Sequence, residues 1–185
     1  MYDTAFNAIE RQLRAEDGIA NELDYVEQIS WVLFLKYLDD LESERRDLAE
    51  LKGKDYAPII AGEFRWSQWA APKTKAGEFD HNAALVGDDL IAFVDRELSP
   101  YLGKFRSSDA DPHTINYKIG EIFTELRNKF RSGYILRDVL EVVDGLSFNT
   151  QDQRHELSQL YESRIRRMGN AGRNGGEYYT PRPLI

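Results

Sequence analysis

Cysteine is absent from all 185 residues, which excludes disulfides, thiolate zinc sites and cysteine nucleophiles and fits a reducing compartment. Long hydrophobic runs are also lacking. The densest, Ile29 to Leu38, is ten residues long and contains Lys36, against the roughly 20 apolar residues of a membrane span. The opening string MYDTAFNAIERQLRAED has no basic segment followed by an apolar one, so it does not read as a secretory signal. Together these absences predict a soluble, cytoplasmic protein with no membrane partner. Histidine is scarce: His81, His113 and His155 are far apart and without HExxH spacing, so no metal site is expected. There is no GxSxG elbow for a serine nucleophile. Gly169, Gly172, Gly175 and Gly176 fit neither a P-loop nor a dinucleotide fingerprint, which would need a preceding strand. No alternation of β-branched residues is long enough to require a sheet.

Positive charge is in short supply as well. Lysine and arginine number 24 against 32 acids, a net charge of −8, which disfavours a free-standing nucleic-acid binder. The deficit is uneven. From Tyr161 onward Arg164, Arg166, Arg167, Arg173 and Arg182 face only Glu162 and Glu177, so an acidic body ends in a basic arm. The carboxylates of the body show no acid–base spacing and read as solvated helix faces.

What is present is one amphipathic segment after another, with 42% hydrophobic and 12% aromatic residues to build a core. Thr4 caps a first helix carrying Phe6, Ile9 and Leu13, ended by Gly18. Asp24-Tyr25-Val26-Glu27 has capping-box form and opens the longest helix, roughly residues 25–51, whose middle is apolar around most of its circumference. Residues 52–80 form an irregular excursion with room for one short helical turn. Its Trp66 and Trp69 offer a base-stacking platform or, in the ordinary reading, plug a gap between helices. A helix over about 82–98 places Val86, Leu90, Phe93, Val94 and Leu98 on one face and stops at Pro100.

Asp111-Pro112 then reads as an N-cap with proline at the first helical position. The stripe Ile115, Ile119, Ile122, Phe123, Leu126 and Phe130 predicts one helix running to Gly133. Residues 134–144 form the next helix, ended by Gly145. A second capping box, Thr150-Gln151-Asp152-Gln153, opens a last helix with Leu157, Leu160, Tyr161 and Met168 on its apolar face. The expected fold class is all-α: a helical bundle with an irregular excursion and an extended C-terminal arm. Leu33 and Ile122 are expected in its core. Arg127, Lys129, Arg131 and Arg137 gather near Gly133, and on a helical wheel Arg127 and Arg131 share a flank suited to DNA phosphates or an acidic partner.

The arm ends in GEYYTPRPLI. Pro181 and Pro183 are themselves restricted and hold the preceding Thr180 and Arg182 out of the helical region, making a stiff strut able to present a hydroxyl and aromatic faces. This string resembles the Gly-x-Tyr/Phe-Tyr/Phe-Thr-Pro-Arg segment that opens the catalytic domain of type I restriction–modification methyltransferase subunits. LSFNTQDQRHELSQLYESRIRRM resembles the linker helix before it, and DYVEQISWVLFLKYLDDLE resembles a core helix of the family's N-terminal domain. The resemblance implies a helical domain over 1–168, then a linker and first segment of a truncated methyltransferase domain over 169–185. It implies methyl transfer from S-adenosylmethionine to adenine N6 by the intact subunit, with Glu177, Tyr178, Tyr179, Thr180, Pro181 and Arg182 binding the cofactor.

The family's Asn/Asp-Pro-Pro-Tyr/Phe motif is missing from these residues, so the fragment is expected to be inactive, with no catalytic residue of its own. The implied partners are DNA, a specificity subunit, a second modification subunit and a restriction subunit. The helical domain would serve assembly and DNA clamping, with Arg127, Arg131, Arg166 and Arg167 at the contact. Two rivals stay open: a non-enzymatic helical DNA- or protein-binding adaptor, and the helical domain of a fused restriction–methyltransferase.

Overall fold

A computed structural model describes residues 2–106, 111–148, 150–153 and 155. Its elements are α1 (Tyr2–Leu13), α2 (Glu22–Leu51), a 3-10 turn (Gly62–Phe64), α3 (Trp66–Trp69), α4 (Gly87–Phe93), a π turn (Val94–Leu98), α5 (Ser99–Gly103), α6 (Ile115–Glu125) and α7 (Gly133–Asp144). Among the described residues there is no strand, only a lone bridge between Lys73 and Phe79, and the all-α expectation holds. No described helix is long and apolar enough to cross a membrane.

Helix α2 is the spine. Ile29, Trp31, Val32, Leu33, Phe34, Leu35 and Leu38 are all buried, and α7, whose Leu136, Val139, Leu140 and Val143 are buried, packs against it. Helix α1 lies on α7, and α5 pairs with α6. Trp66 and Trp69 are buried edge to face at 5.7 Å, so they fill the gap between excursion and bundle and offer no platform to a base.

Several boundaries fall elsewhere than the sequence predicts, each for a local reason. Thr4 lies inside α1, because Tyr2 is already buried, donating its hydroxyl to the Ser147 carbonyl and stacking on Phe148. The cap of α2 is Asn21, one turn earlier than Asp24. The Asn21 side chain accepts from the Asp24 amide at 3.0 Å while Asp24 reaches back to the Ala20 amide, also at 3.0 Å. Residues 81–86 are not helical. Asp80 turns the chain there by accepting from the Asn82 and Ala83 amides, and Val86 is 44% exposed.

Pro100 does not stop its helix. The preceding turn widens to a π turn, with the Ser99 amide donating to the Val94 carbonyl, and the helix runs on to Gly103. Proline clashes with the carbonyl four residues back, and a wider turn gives that carbonyl room.

The largest difference lies at 111–133. Asp111-Pro112 makes a turn in which Asp111 accepts from the His113 amide, and Thr114 is the true cap of α6. Helix α6 then ends at Glu125, so residues 126–132 are not helical and Gly133 terminates nothing. Ser132 caps α7, and Gly133 is its first residue. A Cβ on Gly133 would stand 1.8 Å from the Gly87 carbonyl oxygen, so only glycine lets α7 approach the start of α4. Leu33 is buried as expected, whereas Ile122 is only half-buried. The Thr150 box does form: the Gln153 side chain accepts from the Thr150 amide at 3.1 Å, and the Gln153 amide donates to Thr150 Oγ1 at 3.2 Å. The apolar face expected beyond it lies outside the described residues.

Candidate functional site

Residues 126–132 cross the bundle as an extended basic strap. Gln28 sits on the apolar stripe of α2 and is fully buried. Its Nε2 donates to the Arg127 carbonyl at 3.0 Å, and its Oε1 accepts from the Lys129 amide and from Trp31 Nε1, both at 3.0 Å. Glu16, also buried, accepts from the Arg131 amide at 3.0 Å and the Ser132 amide at 3.1 Å. One carboxamide and one carboxylate thus replace the bonds that a helix would have supplied to this backbone.

The strap alternates. Phe130 is buried edge-on against Trp31, while Arg127 and Arg131 point to solvent. Lys129 is spoken for, with Nζ 2.6 Å from Asp24 and 2.9 Å from Glu27. Its hydrogen bonds to those carboxylates raise the Lys129 pKa, and the same bond from Lys129 chiefly lowers that of Asp24. Asn128 ties the strap to the π turn through Asp95 at 2.9 Å.

Two of the predicted contact residues, Arg127 and Arg131, lie on this strap. They do not share a helix flank, because the segment is not helical; each is exposed on the strap. Neither has an ion-pair partner among the described residues. Their guanidiniums, held on a fixed backbone, suit phosphate or carboxylate oxygens. Arg137 is no part of this face: it is buried and bonded to backbone carbonyls. Arg166, Arg167 and Glu177, Tyr178, Tyr179, Thr180, Pro181 and Arg182 lie outside the described residues. The roles of Gln28 and Glu16 depend on partners about a hundred positions away. A glutamine on the stripe of Tyr25, Ile29 and Val32 is the signal that was available for the first.

Among the described residues no group of three or more histidines, aspartates or glutamates is arranged to hold a metal. A polar cleft of 240 Å³ opens between the C-terminal half of α2 and the excursion, lined by residues including Asp39, Glu42, Arg46, Tyr56 and Arg65. It is smaller than the roughly 300–1,000 Å³ of typical cofactor pockets, and its lining is charged where such pockets are mostly apolar. This cleft therefore does not fit S-adenosylmethionine.

With this geometry in place, residues 3–163 match the family described as the HsdM N-terminal domain. The chain belongs to the HsdM N-terminal domain family. This HsdM N-terminal domain is 30% identical over 172 residues to the type I restriction enzyme EcoEI methylase subunit of Escherichia coli. That alignment covers 93% of the chain and 32% of the relative. In structure it is similar to a modification subunit of a putative type I restriction enzyme from Vibrio vulnificus YJ016. The TM-score is 0.79 at 32% identity, over 98% of this chain and 38% of that one. A chain from a structure addressing complex assembly and conformational transition of the type I R-M system matches with a TM-score of 0.70 at 36% identity, over 98% and 33% of the two chains. The HsdM N-terminal domain chain thus spans about a third of the length of these relatives.

Proposed function

We propose that this chain is the helical N-terminal part of the modification subunit of a cytoplasmic type I restriction–modification enzyme. The intact subunit methylates adenine N6 in DNA, and these residues serve assembly and DNA clamping without catalysing. The observation that carries the reading is the family match over residues 3–163, together with relatives about three times as long that are themselves methylase or modification subunits. The domain boundary is proposed near residue 168, with the strut at 177–182 belonging to the catalytic domain. The partners are DNA, the specificity subunit, a second modification subunit and the restriction subunit. S-adenosylmethionine supplies the methyl group when bound to the intact subunit, and Glu177, Tyr178, Tyr179, Thr180, Pro181 and Arg182 are assigned to one wall of its pocket.

Calorimetry tests the assignment. A cofactor pocket buries about 70–90% of its ligand, which one extended segment cannot do, so the 185-residue chain should show no saturable S-adenosylmethionine binding. The intact subunit should bind, and Tyr179→Ala or Thr180→Ala should weaken it without moving the helical domain's melting temperature. Tight binding by the 185 residues alone, or normal binding by the intact subunit carrying both substitutions, would remove the assignment.

The strap has its own test. Reversing both exposed charges, Arg127→Glu with Arg131→Glu, should weaken DNA binding by the assembled complex and lower its salt dependence by up to about two phosphate contacts. Loss of assembly with an unchanged salt slope would instead point to a protein partner. If affinity, slope and assembly all stayed the same, these arginines would be ordinary surface residues. Arg166 and Arg167 are assigned to the same contact on the basic arm.

A further inference from the structure

We propose that Glu27 is an electrostatic brake on the strap, holding Lys129, the strap's third cation, away from the DNA backbone. The inference rests on the reading that Arg127 and Arg131 face DNA. Those two arginines have no ion-pair partner among the described residues, whereas Lys129 between them carries two carboxylates, Asp24 at 2.6 Å and Glu27 at 2.9 Å. The trio of Asp24, Lys129 and Glu27 is therefore net negative in the middle of a basic segment.

The two carboxylates are not equivalent. Asp24 belongs to the fold: its side chain is 11% exposed and accepts from the Ala20 amide at 3.0 Å as well as from Lys129. The Glu27 side chain is 35% exposed and pairs with Lys129 alone among the described residues. The bond to Asp24 raises the Lys129 pKa more than the bond to Glu27 does, so the lysine keeps its charge and its anchor without Glu27. The backbone of the strap is held by Gln28 and Glu16. Glu27 thus adds a negative charge that neither the fold nor the lysine requires.

That charge is well placed to oppose a phosphate. Arg127 and Arg131 each lie two residues from Lys129, a backbone span of at most about 7 Å. This is comparable with the Debye length of about 8 Å at physiological ionic strength, so a phosphate at either arginine feels Glu27. The Lys129 side chain is 33% exposed, and two of its three ammonium donors are engaged. It can turn to a phosphate once the second carboxylate is neutral. Phosphate contacts carry no sequence information, so three free cations would grip any duplex. The brake keeps that grip weak and leaves residence on DNA to the partner that reads sequence.

The test measures binding of the assembled complex to a mixed-sequence duplex. Glu27→Gln keeps an acceptor for Lys129 and should tighten binding about three- to tenfold at roughly 0.1 M salt, with the gain fading as salt rises. The salt dependence should steepen by up to about one phosphate contact. Glu50→Gln makes the same change in net charge on the same helix, roughly 34 Å away, and should leave binding unchanged. An equal gain in both variants would reduce the effect to net charge and overturn the brake. Unchanged binding by Glu27→Gln overturns it as well. So does weaker binding, which, with faster hydrogen exchange at the Lys129 amide, would make Glu27 a structural partner of the strap. The double reversal of Arg127 and Arg131 separates this inference from the reading beneath it. If that reversal leaves DNA affinity unchanged, both fail; if it weakens binding while Glu27→Gln has no effect, only the brake fails.

Discussion

Arg137→Met should lower the free energy of unfolding by about 3–5 kcal/mol, read from urea denaturation. The guanidinium is 5% exposed and holds three backbone carbonyls at once. Nε donates to Leu85 O at 3.1 Å, Nη2 to Trp69 O at 3.1 Å, and Nη1 to Ala70 O. It also lies 5.7 Å from the Phe79 ring centre. Burial lowers its pKa, but the group stays charged.

Methionine keeps much of the volume and recovers the desolvation cost of the charge. It leaves three acceptors, two of them buried, and each buried one costs about 1–3 kcal/mol unless water reaches it. The sum favours a large loss even after discounting. Lysine is no remedy, since an ammonium cannot copy the planar fork. A loss below about 1 kcal/mol would mean that the excursion is not pinned to α7 through this residue.

Gln28→Leu should cost about 3 kcal/mol and release the strap. Leucine fits the apolar stripe of α2 but abandons the Arg127 carbonyl, the Lys129 amide and Trp31 Nε1. Glu16 would still hold Arg131 and Ser132 at the far end, so the release should be local. Hydrogen exchange at the Lys129 amide should accelerate strongly while α6 and α7 keep their protection. If the strap presents Arg127 and Arg131 to DNA, affinity should fall toward that of the double charge reversal although both arginines remain. Retained protection at Lys129 would show that the strap does not depend on Gln28. Lost protection with unchanged affinity would show that its rigidity does not matter to binding.

Legibility followed the range of the forces involved. The Thr150–Gln153 box was readable because donor and acceptor are three residues apart. Trp66 and Trp69 were readable as gap fillers because aromatic area seeks burial wherever the chain allows. Asp24 was close but misplaced, since Asn21 is an equally good cap and wins by lengthening the helix. Asp39 was read as solvated surface, because nothing in its neighbours reports that the excursion folds over it. The assignment of 177–182 to a cofactor pocket rests on the residue string alone, since those residues lie outside the described ones.

By itself the sequence determined the all-α class, the spine at α2, the amphipathic faces of α1 and α7, and the likeness to modification subunits. All of these rest on periodicity, punctuation and residue strings that act within a few positions. Only the tertiary structure decided that 126–132 is a strap. Leu126 and Phe130 are spaced for a helical stripe, yet the same spacing also satisfies a two-residue alternation with Arg127 and Arg131 outside. Apolar pattern alone cannot choose between the two. The choice is made by hydrogen bonds from Gln28, 99 and 101 positions away along the chain, and from Glu16, 115 and 116 away. Those partners exist only once α1 and α2 have packed, and the placement of the two exposed arginines depends on them.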